Sequence, residues 1–404
     1  MEAEAKSSTA AENEQDDQWI AQSPPKLPND VLFNILSRLP IQSLIQYICV
    51  CKSWRTMISN PQFIKTHLHR SSNSKSSDSQ RLLLSSHDSF RSITCQFPDH
   101  APKTLQSPLK KTKPLCSCDG LILLSVSHKP FPFTRNPGKS FVLWNPSIRA
   151  YKEIWPPFEF NDFGIRGICY DPNIDDYRVI ILWQYFQTLV LIYDSKSNSW
   201  NTISEPCYSI LVRQSGVLVN GVLYWVMASK ELCSWVIVYF DLVEDKLKEV
   251  PRLSFGDEDD KKIDLVGFGD GDKMIDLVVL RECLCVYRCV DREKVEIWEM
   301  KEYGKKESWT KLIVIPYLID LQCLKPLFFT NNGEVLIEVD NRKILVYDPK
   351  DSTFRNVRSY GDFSGFRVVT YVESLVFLNG DGDGDGDVQR QHQAYLERRN
   401  MKGR

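Results

Sequence analysis

The sequence predicts an α+β multidomain chain: a small N-terminal helical module followed by an all-β, propeller-like domain of about six blades. Three observations carry this. Apolar residues recur at helical spacing between Pro25 and Leu68. From Arg81 onward, short β-branched and aromatic runs alternate with Gly, Pro, Asn and Asp turns for about three hundred residues, the texture of an all-β domain. Within that region a strand-turn-strand unit returns at intervals of 49, 47, 58 and 49 residues, a period suited to four-stranded blades.

The helical module opens at Pro28-Asn29-Asp30, after which Val31, Leu32, Ile35, Leu36 and Leu39 share one face until Pro40 stops the run. Leu44, Ile45 and Ile48 continue the pattern, followed by Val50, Cys51, Trp54, Met57 and Ile58. A last turn after Pro61 carries Phe63, Ile64, His67 and Leu68. Three or four short helices cannot enclose all of these side chains, because small domains bury too little of their surface. Part of the apolar face must meet another surface, either the rest of this chain or a partner.

The order of residues narrows the choice. Leu27-Pro28, the apolar run, Leu39-Pro40, and then Val50-Cys51-Lys52-Ser53-Trp54 resemble the F-box. Tyr47, where that family often carries a small or basic residue, is a mild departure. The resemblance implies a trihelical module that docks on the Skp adaptor of a cullin-type ubiquitin ligase. Contacts expected from it are Leu27, Pro28, Leu32, Ile35, Leu36, Leu39, Pro40, Leu44, Val50, Cys51 and Trp54, some of which must instead form the module's own core.

The β domain is read from its repeat. An apolar strand ends in an aromatic plus an acid or amide, a polar turn follows, and a hydrophobic residue resumes seven places after the aromatic. The unit appears at Trp144-Asn145 to Tyr151, Tyr193-Asp194 to Trp200, Phe240-Asp241 to Leu247 and Tyr347-Asp348 to Phe354, with a longer version from Trp298 to Trp309. Earlier strands end at glycine turns: Asp119-Gly120, Asn220-Gly221 and Asn332-Gly333. A lone unit leaves its sheet faces bare, so the units must stack radially, and closing the ring removes most exposed edges. Val368 to Leu378 is expected to complete the first blade with strands near Leu82–Leu84 and Ile93–Phe97.

This texture is similar to the F-box-associated domain of plant F-box proteins, a relative of kelch propellers. CDGLILL, LWNPSIRAY, CYDPNIDDYRV, NGVLYWV, VEIWEMKEYGKKESWTKL and ILVYDPKDSTF carry the resemblance over roughly residues 115–358. The Gly-Gly pair of true kelch blades is missing. The expected organisation is a disordered N-terminus at 1–24, an F-box at 25–70, a Ser-rich linker at 71–80, the propeller at 81–379 and a low-complexity, charged tail at 380–404.

Composition excludes several classes. Fifty basic residues against 52 acidic ones leave a formal net charge of −2, which gives no support to nucleic-acid binding by bulk electrostatics. No basic start precedes an apolar run and no stretch of about twenty apolar residues occurs, so neither a signal peptide nor a membrane partner is expected. Twelve scattered Cys read as buried free thiols of a reducing compartment, cytoplasmic and/or nuclear.

Fragments that imitate reactive sites each lack a part. Gly138-Lys139-Ser140 looks like the end of a phosphate loop, but Phe133 stands in place of the earlier glycine. Asp381, Asp383 and Asp385 precede Gly386 as in calcium loops, yet His392 holds the position of the bidentate Glu. Cys116-X-Cys118 and Cys283-X-Cys285 have no second pair at metal spacing. No catalytic residue, metal or cofactor is therefore expected. The expected function is that of a non-catalytic adaptor presenting an unknown protein target, with Trp155, Phe158, Phe160 and Phe163 as candidate target contacts. The competing reading is a propeller enzyme or ligand-binding domain whose helices are only an intramolecular cap.

Overall fold

A computed structural model describes residues 27–73, 79–86, 89–96, 100–130, 137–157, 164–184, 188–205, 208–210, 215–229, 234–255, 275–290, 293–317, 324–357 and 365–378. Four helices come first: α1 (Asn29–Leu36), α2 (Ile41–Tyr47), α3 (Lys52–Ile58) and α4 (Pro61–Asn73). Pro28 and Pro40 stand immediately before α1 and α2, where a fixed φ and a missing N–H cost nothing. Cys51 caps α3, its Sγ accepting from the Trp54 N–H at 3.5 Å.

Among the described residues, twenty-five strands then form six sheets in a ring. Blade two is β4 (Thr112–Cys118), β5 (Leu121–Pro130), β6 (Pro137–Asn145) and β7 (Ala150–Ile154). Blade three is β8 (Gly164–Asp171), β9 (Asp176–Gln184), β10 (Thr188–Asp194) and β11 (Ser199–Glu205). Blade four has β12 (Tyr208–Ile210), β13 (Val217–Val219), β14 (Val222–Ser229), β15 (Ser234–Asp241) and β16 (Lys246–Val250). Blades five and six follow as β17 (Ile275–Leu280), β18 (Cys283–Val290), β19 (Lys294–Met300) and β20 (Trp309–Pro316), then β21 (Leu324–Phe329), β22 (Val335–Val339), β23 (Lys343–Asp348) and β24 (Thr353–Asn356).

Blade one closes the ring with the expected late strand, but that strand stops at Val372 and residues 373–378, expected to continue it, leave the sheet. It combines β1 (Gln80–Ser86), β2 (Ser89–Thr94) and β3 (Lys103–Gln106) with the late strand β25 (Arg367–Val372), and Leu83 pairs with Val369.

The seven-residue spacing in the sequence is the register of a hairpin. Trp144 pairs with Tyr151, Tyr193 with Trp200, Phe240 with Leu247 and Tyr347 with Phe354. In three units the acid or amide after the first aromatic organises the turn: Asn145 accepts from the Ser147 N–H, Asp241 from the Val243 N–H and Asp348 from the Lys350 N–H, all at 2.9 Å. Asp194 instead accepts from Arg178, and the Lys196 N–H of its turn donates to Asp176. Four residues on, the backbone enters the left-handed region at Arg149, Asn198, Asp245 and Ser352. In blade five the same hairpin carries a β-bulge at Ile297/Trp298 and a 3-10 turn at Lys306–Ser308, which accounts for the longer spacing.

Each sheet is antiparallel, so its first and third strands end on the same face of the ring. The turns after β8, β6 and β25 therefore share one face, and the helices sit there. The core of the helical module is Leu36, Ile41, Leu44, Ile58 and Phe63, completed by Leu375 from the segment after β25, with Ile148 of the β6–β7 turn packed against it. Ile64 and Leu68 of α4 pack on the cluster that blades two and three share with Val376 and Leu378. The serine-rich stretch does not hold the two parts away from each other. Their apolar surfaces meet directly, and residues 373–378 lie between them.

Asn145 pins that segment, donating through Nδ2 to the Ser374 carbonyl at 3.1 Å and the Val376 carbonyl at 2.9 Å. Gly120, at φ +84°, passes so close to Ser374 that any Cβ would collide with it.

Candidate functional site

Among the described residues two surfaces stand out: the exposed apolar side chains of the helical module and the central channel. In the module, Leu36 and Leu44 are buried in the core and cannot reach a partner, so their place among the expected contacts is corrected. They point inward because one face of so small a bundle must close on itself. Leu32, Leu39 and Trp54 are half-buried, Trp54 edge-on to Tyr47 at 5.3 Å. Leu27, Pro28, Ile35, Pro40, Val50 and Cys51 are exposed. Val31 joins them, one turn before Ile35 on the same face of α1. Leu27 at 58%, Val31 at 39%, Ile35 at 46% and Val50 at 61% exposure are four of the ten large apolar side chains left bare among the described residues.

The other side of the module is fastened to its surroundings. The buried His67 ring lies with Nε2 2.9 Å from the Leu39 carbonyl, which fits the N–H on that nitrogen; burial holds its pKa below the usual value and keeps it neutral. Arg70 donates to Asn34 Oδ1 at 3.0 Å and to the Ser37 hydroxyl, tying α4 to the end of α1. Lys65 reaches Asp175 of the β8–β9 turn at 2.5 Å. Its hydrogen bond, with those of Tyr170 and Lys196, holds the Asp175 carboxyl far below the usual range. Both partners are exposed, so this pair contributes little beside the apolar contacts of Ile64 and Leu68.

Trp155, expected as a target contact, is 8% exposed and stacked on His128 with ring centroids 4.7 Å apart; its carbonyl accepts from Trp200 Nε1 at 2.8 Å. Structural packing explains it, because a residue following an outer strand falls between neighbouring blades. Phe158, Phe160 and Phe163 lie outside the described residues, as do the acidic run Asp257 to Asp260 and the tail from Asn379.

Beside Trp155, His128 Nε2 sits 2.7 Å from Ser140 Oγ and 3.3 Å from Glu153 Oε1. One ring nitrogen serves both partners, and Ser140 is fully buried and donates to Glu153. A relay through the two ring nitrogens is therefore not formed. Cys116 and Cys118 are buried free thiols, burial pushing Cys116 up to about 12. Among the described residues no cluster of His, Cys, Asp or Glu is arranged to hold a metal, and no helix is long and apolar enough to cross a membrane.

The channel, about 1830 Å³, runs between the innermost strands. Asp276 of β17 is buried behind its wall, accepting from the Tyr287 hydroxyl at 3.3 Å. Burial pushes its pKa up to about 6, against the opposing pull of Lys325, the Leu277 N–H and Tyr287. The folded state thus binds this proton more tightly than the unfolded chain. Stability falls as pH rises from about 4 to about 6, and the ionised group is a cost above that window. Asp276→Asn is expected to raise urea stability at pH 7.5 by on the order of 1–3 kcal/mol, with the gain absent at pH 4.

Comparisons with known proteins match this architecture part by part. The family model described as the F-box associated beta propeller domain matches residues 78–378, and that of the F-box domain matches residues 25–66. The chain belongs to the F-box proteins with an associated β-propeller. It is 29% identical over 339 residues to an F-box/kelch-repeat protein of Arabidopsis thaliana, covering 78% of this chain and 86% of that one. It is 27% identical over 389 residues to the F-box protein CPR1 of Arabidopsis thaliana, covering 87% and 88%.

Sequence reading missed Ile148 and Leu375, whose packing on the helices has no local pattern, and the basic residues of the channel. The signal for the latter is a Lys or Arg at or near the start of the first strand of a unit, as at Lys113, Arg166, Lys325 and Arg367.

Proposed function

We propose that this chain is the non-catalytic, target-recruiting subunit of a Skp-cullin-F-box ubiquitin ligase. The helical module docks on a Skp-type adaptor and through it on cullin, and the propeller holds a protein target for ubiquitination and proteasomal degradation. Transfer is then accelerated by proximity, with no chemistry in this chain. The observation that carries the proposal is the exposure of the apolar side chains of Leu27, Val31, Ile35 and Val50 on a module whose core is otherwise complete. The helices do cover part of the propeller, as a cap would, but that contact is made by α4 and by the core side chains around Leu375, and it leaves Leu27, Val31, Ile35 and Val50 exposed. Free thiols throughout the described chain support a reducing cytoplasmic or nuclear location.

Because the helices occupy the face where the β8–β9 and β6–β7 turns lie, the target is received on the opposite face or in the channel mouth that opens there. The test is co-expression of the full-length chain with a Skp adaptor, since Leu375 makes the propeller part of the module's core. Wild type is expected to co-purify. Ile35→Asp combined with Val50→Asp is expected to weaken capture at least about tenfold with an unchanged melting midpoint, both positions being exposed. Failure of wild type to capture adaptor, or equal capture by the variant, sinks the reading.

A further inference from the structure

The innermost strands all run from the helix-free face toward the helices, so the residues that begin them stand at the distant rim of the channel. Side chains on such strands alternate between channel and blade interior. On four of them the channel-lining position nearest that rim is basic: Lys113 on β4, Arg166 on β8, Lys325 on β21 and Arg367 on β25. Lys113 and Arg367 are exposed; Arg166 and Lys325 are half-buried. Lys111 and Lys139 line the same end.

Among the described residues the acids lining this end are Glu338 and Asp340, with Asp276 buried behind the wall near Lys325, and Glu338 is buried. Burial raises its pKa and the charges of Lys325 and Arg367 only partly offset that. Such a concentration of positive charge stands out in a chain whose formal net charge is −2. Low-dielectric walls focus the resulting field at the mouth. Deeper in, half-buried Leu115 and Val369 line the wall, so an apolar side chain has a place beside an anionic one.

We infer that this distant mouth binds an anionic stretch of the recruited protein: an extended segment bearing carboxylate or phosphate groups next to an apolar residue. The inference rests on the reading of the chain as a recruiting subunit and specifies what that subunit recruits. Basic groups from four separate blades converge on one opening, which favours several anionic groups spaced along a segment over a single small ion.

The test uses the full-length chain purified with its adaptor, at near-physiological ionic strength, and fluorescence anisotropy of three labelled peptides. One is rich in Glu with an interspersed Leu, one has phosphoserine in place of Glu, and one has Gln. The acidic or the phosphorylated peptide is expected to bind and the Gln peptide not to. Preference between the first two tells carboxylate from phosphate.

Lys113→Glu with Arg367→Glu should weaken binding at least about tenfold, and Lys246→Glu, at an exposed position on the outer strand β16, should leave it unchanged. Should the double variant misfold, the exposed single change Lys113→Gln is expected to shift binding in the same direction. Binding of none of the peptides, equal binding of the Gln peptide, equal binding by the double or the single variant, or binding of a single-stranded oligonucleotide in place of both anionic peptides would overturn the inference. Adaptor capture read in parallel separates the two proposals. Intact capture without peptide binding removes only the channel reading, and peptide binding without capture removes only the recruiting reading.

Discussion

A chain ending at Phe366 is expected to yield no cooperatively folded protein, whereas one ending at Leu378 should melt as the full chain does. The first truncation removes β25, the innermost strand of blade one, and exposes the whole edge of β1. It also removes the buried side chains of Val368, Tyr371, Leu375, Val376 and Leu378. At roughly 1.5–3 kcal/mol for each buried apolar side chain, the loss is on the order of 8–15 kcal/mol, as large as the whole stability of an ordinary domain. Among the described residues the ring has no other strand with which to close. Soluble yield and a thermal scan of the two truncations decide the matter, and a cooperative transition from the shorter chain would show that the closure is dispensable.

Phe63→Ala is expected to abolish adaptor capture although Phe63 is fully buried and touches no partner. Its ring meets Phe33 edge-on at 5.1 Å and stacks on His67 at 6.4 Å, at the centre of the module's core. Truncating a buried Phe costs about 3–5 kcal/mol through the cavity left behind, more than a bundle of short helices can lose. The diagnostic is circular dichroism. Phe63→Ala should lose helical signal together with capture, whereas the Ile35 and Val50 changes should lose capture and keep the signal. Loss of capture with helices intact would instead place Phe63 on the docking surface.

Much of the fold was legible because its signals are local. A seven-residue aromatic spacing is a hairpin register, so Tyr193 and Trp200 announced their own pairing. Pro28 and Pro61 marked helix starts and Pro40 the end of the first run by backbone chemistry alone; Pro40 also stands immediately before α2. The site was legible in part. The residues of the helical module could be named, but which of them face outward depends on the hand of a three-dimensional bundle. Leu36 turned inward while Ile35, its neighbour, stayed bare. Trp155 looked like a loop aromatic and proved to be packing, because its environment is made by His128 and Trp200 from other strands.

The sequence by itself determined the division into helices and blades, the turn chemistry of each blade and the family resemblance, all carried by residues close together in the chain. Only the tertiary structure decided that the late segment 373–378 wedges between helices and propeller, that α4 rests on blades two and three, and that Lys113, Arg166, Lys325 and Arg367 meet around one opening. These contacts join residues separated by as much as the length of the domain. They arise from ring closure and from the demand that apolar faces find cover, neither of which leaves a periodic trace in the sequence.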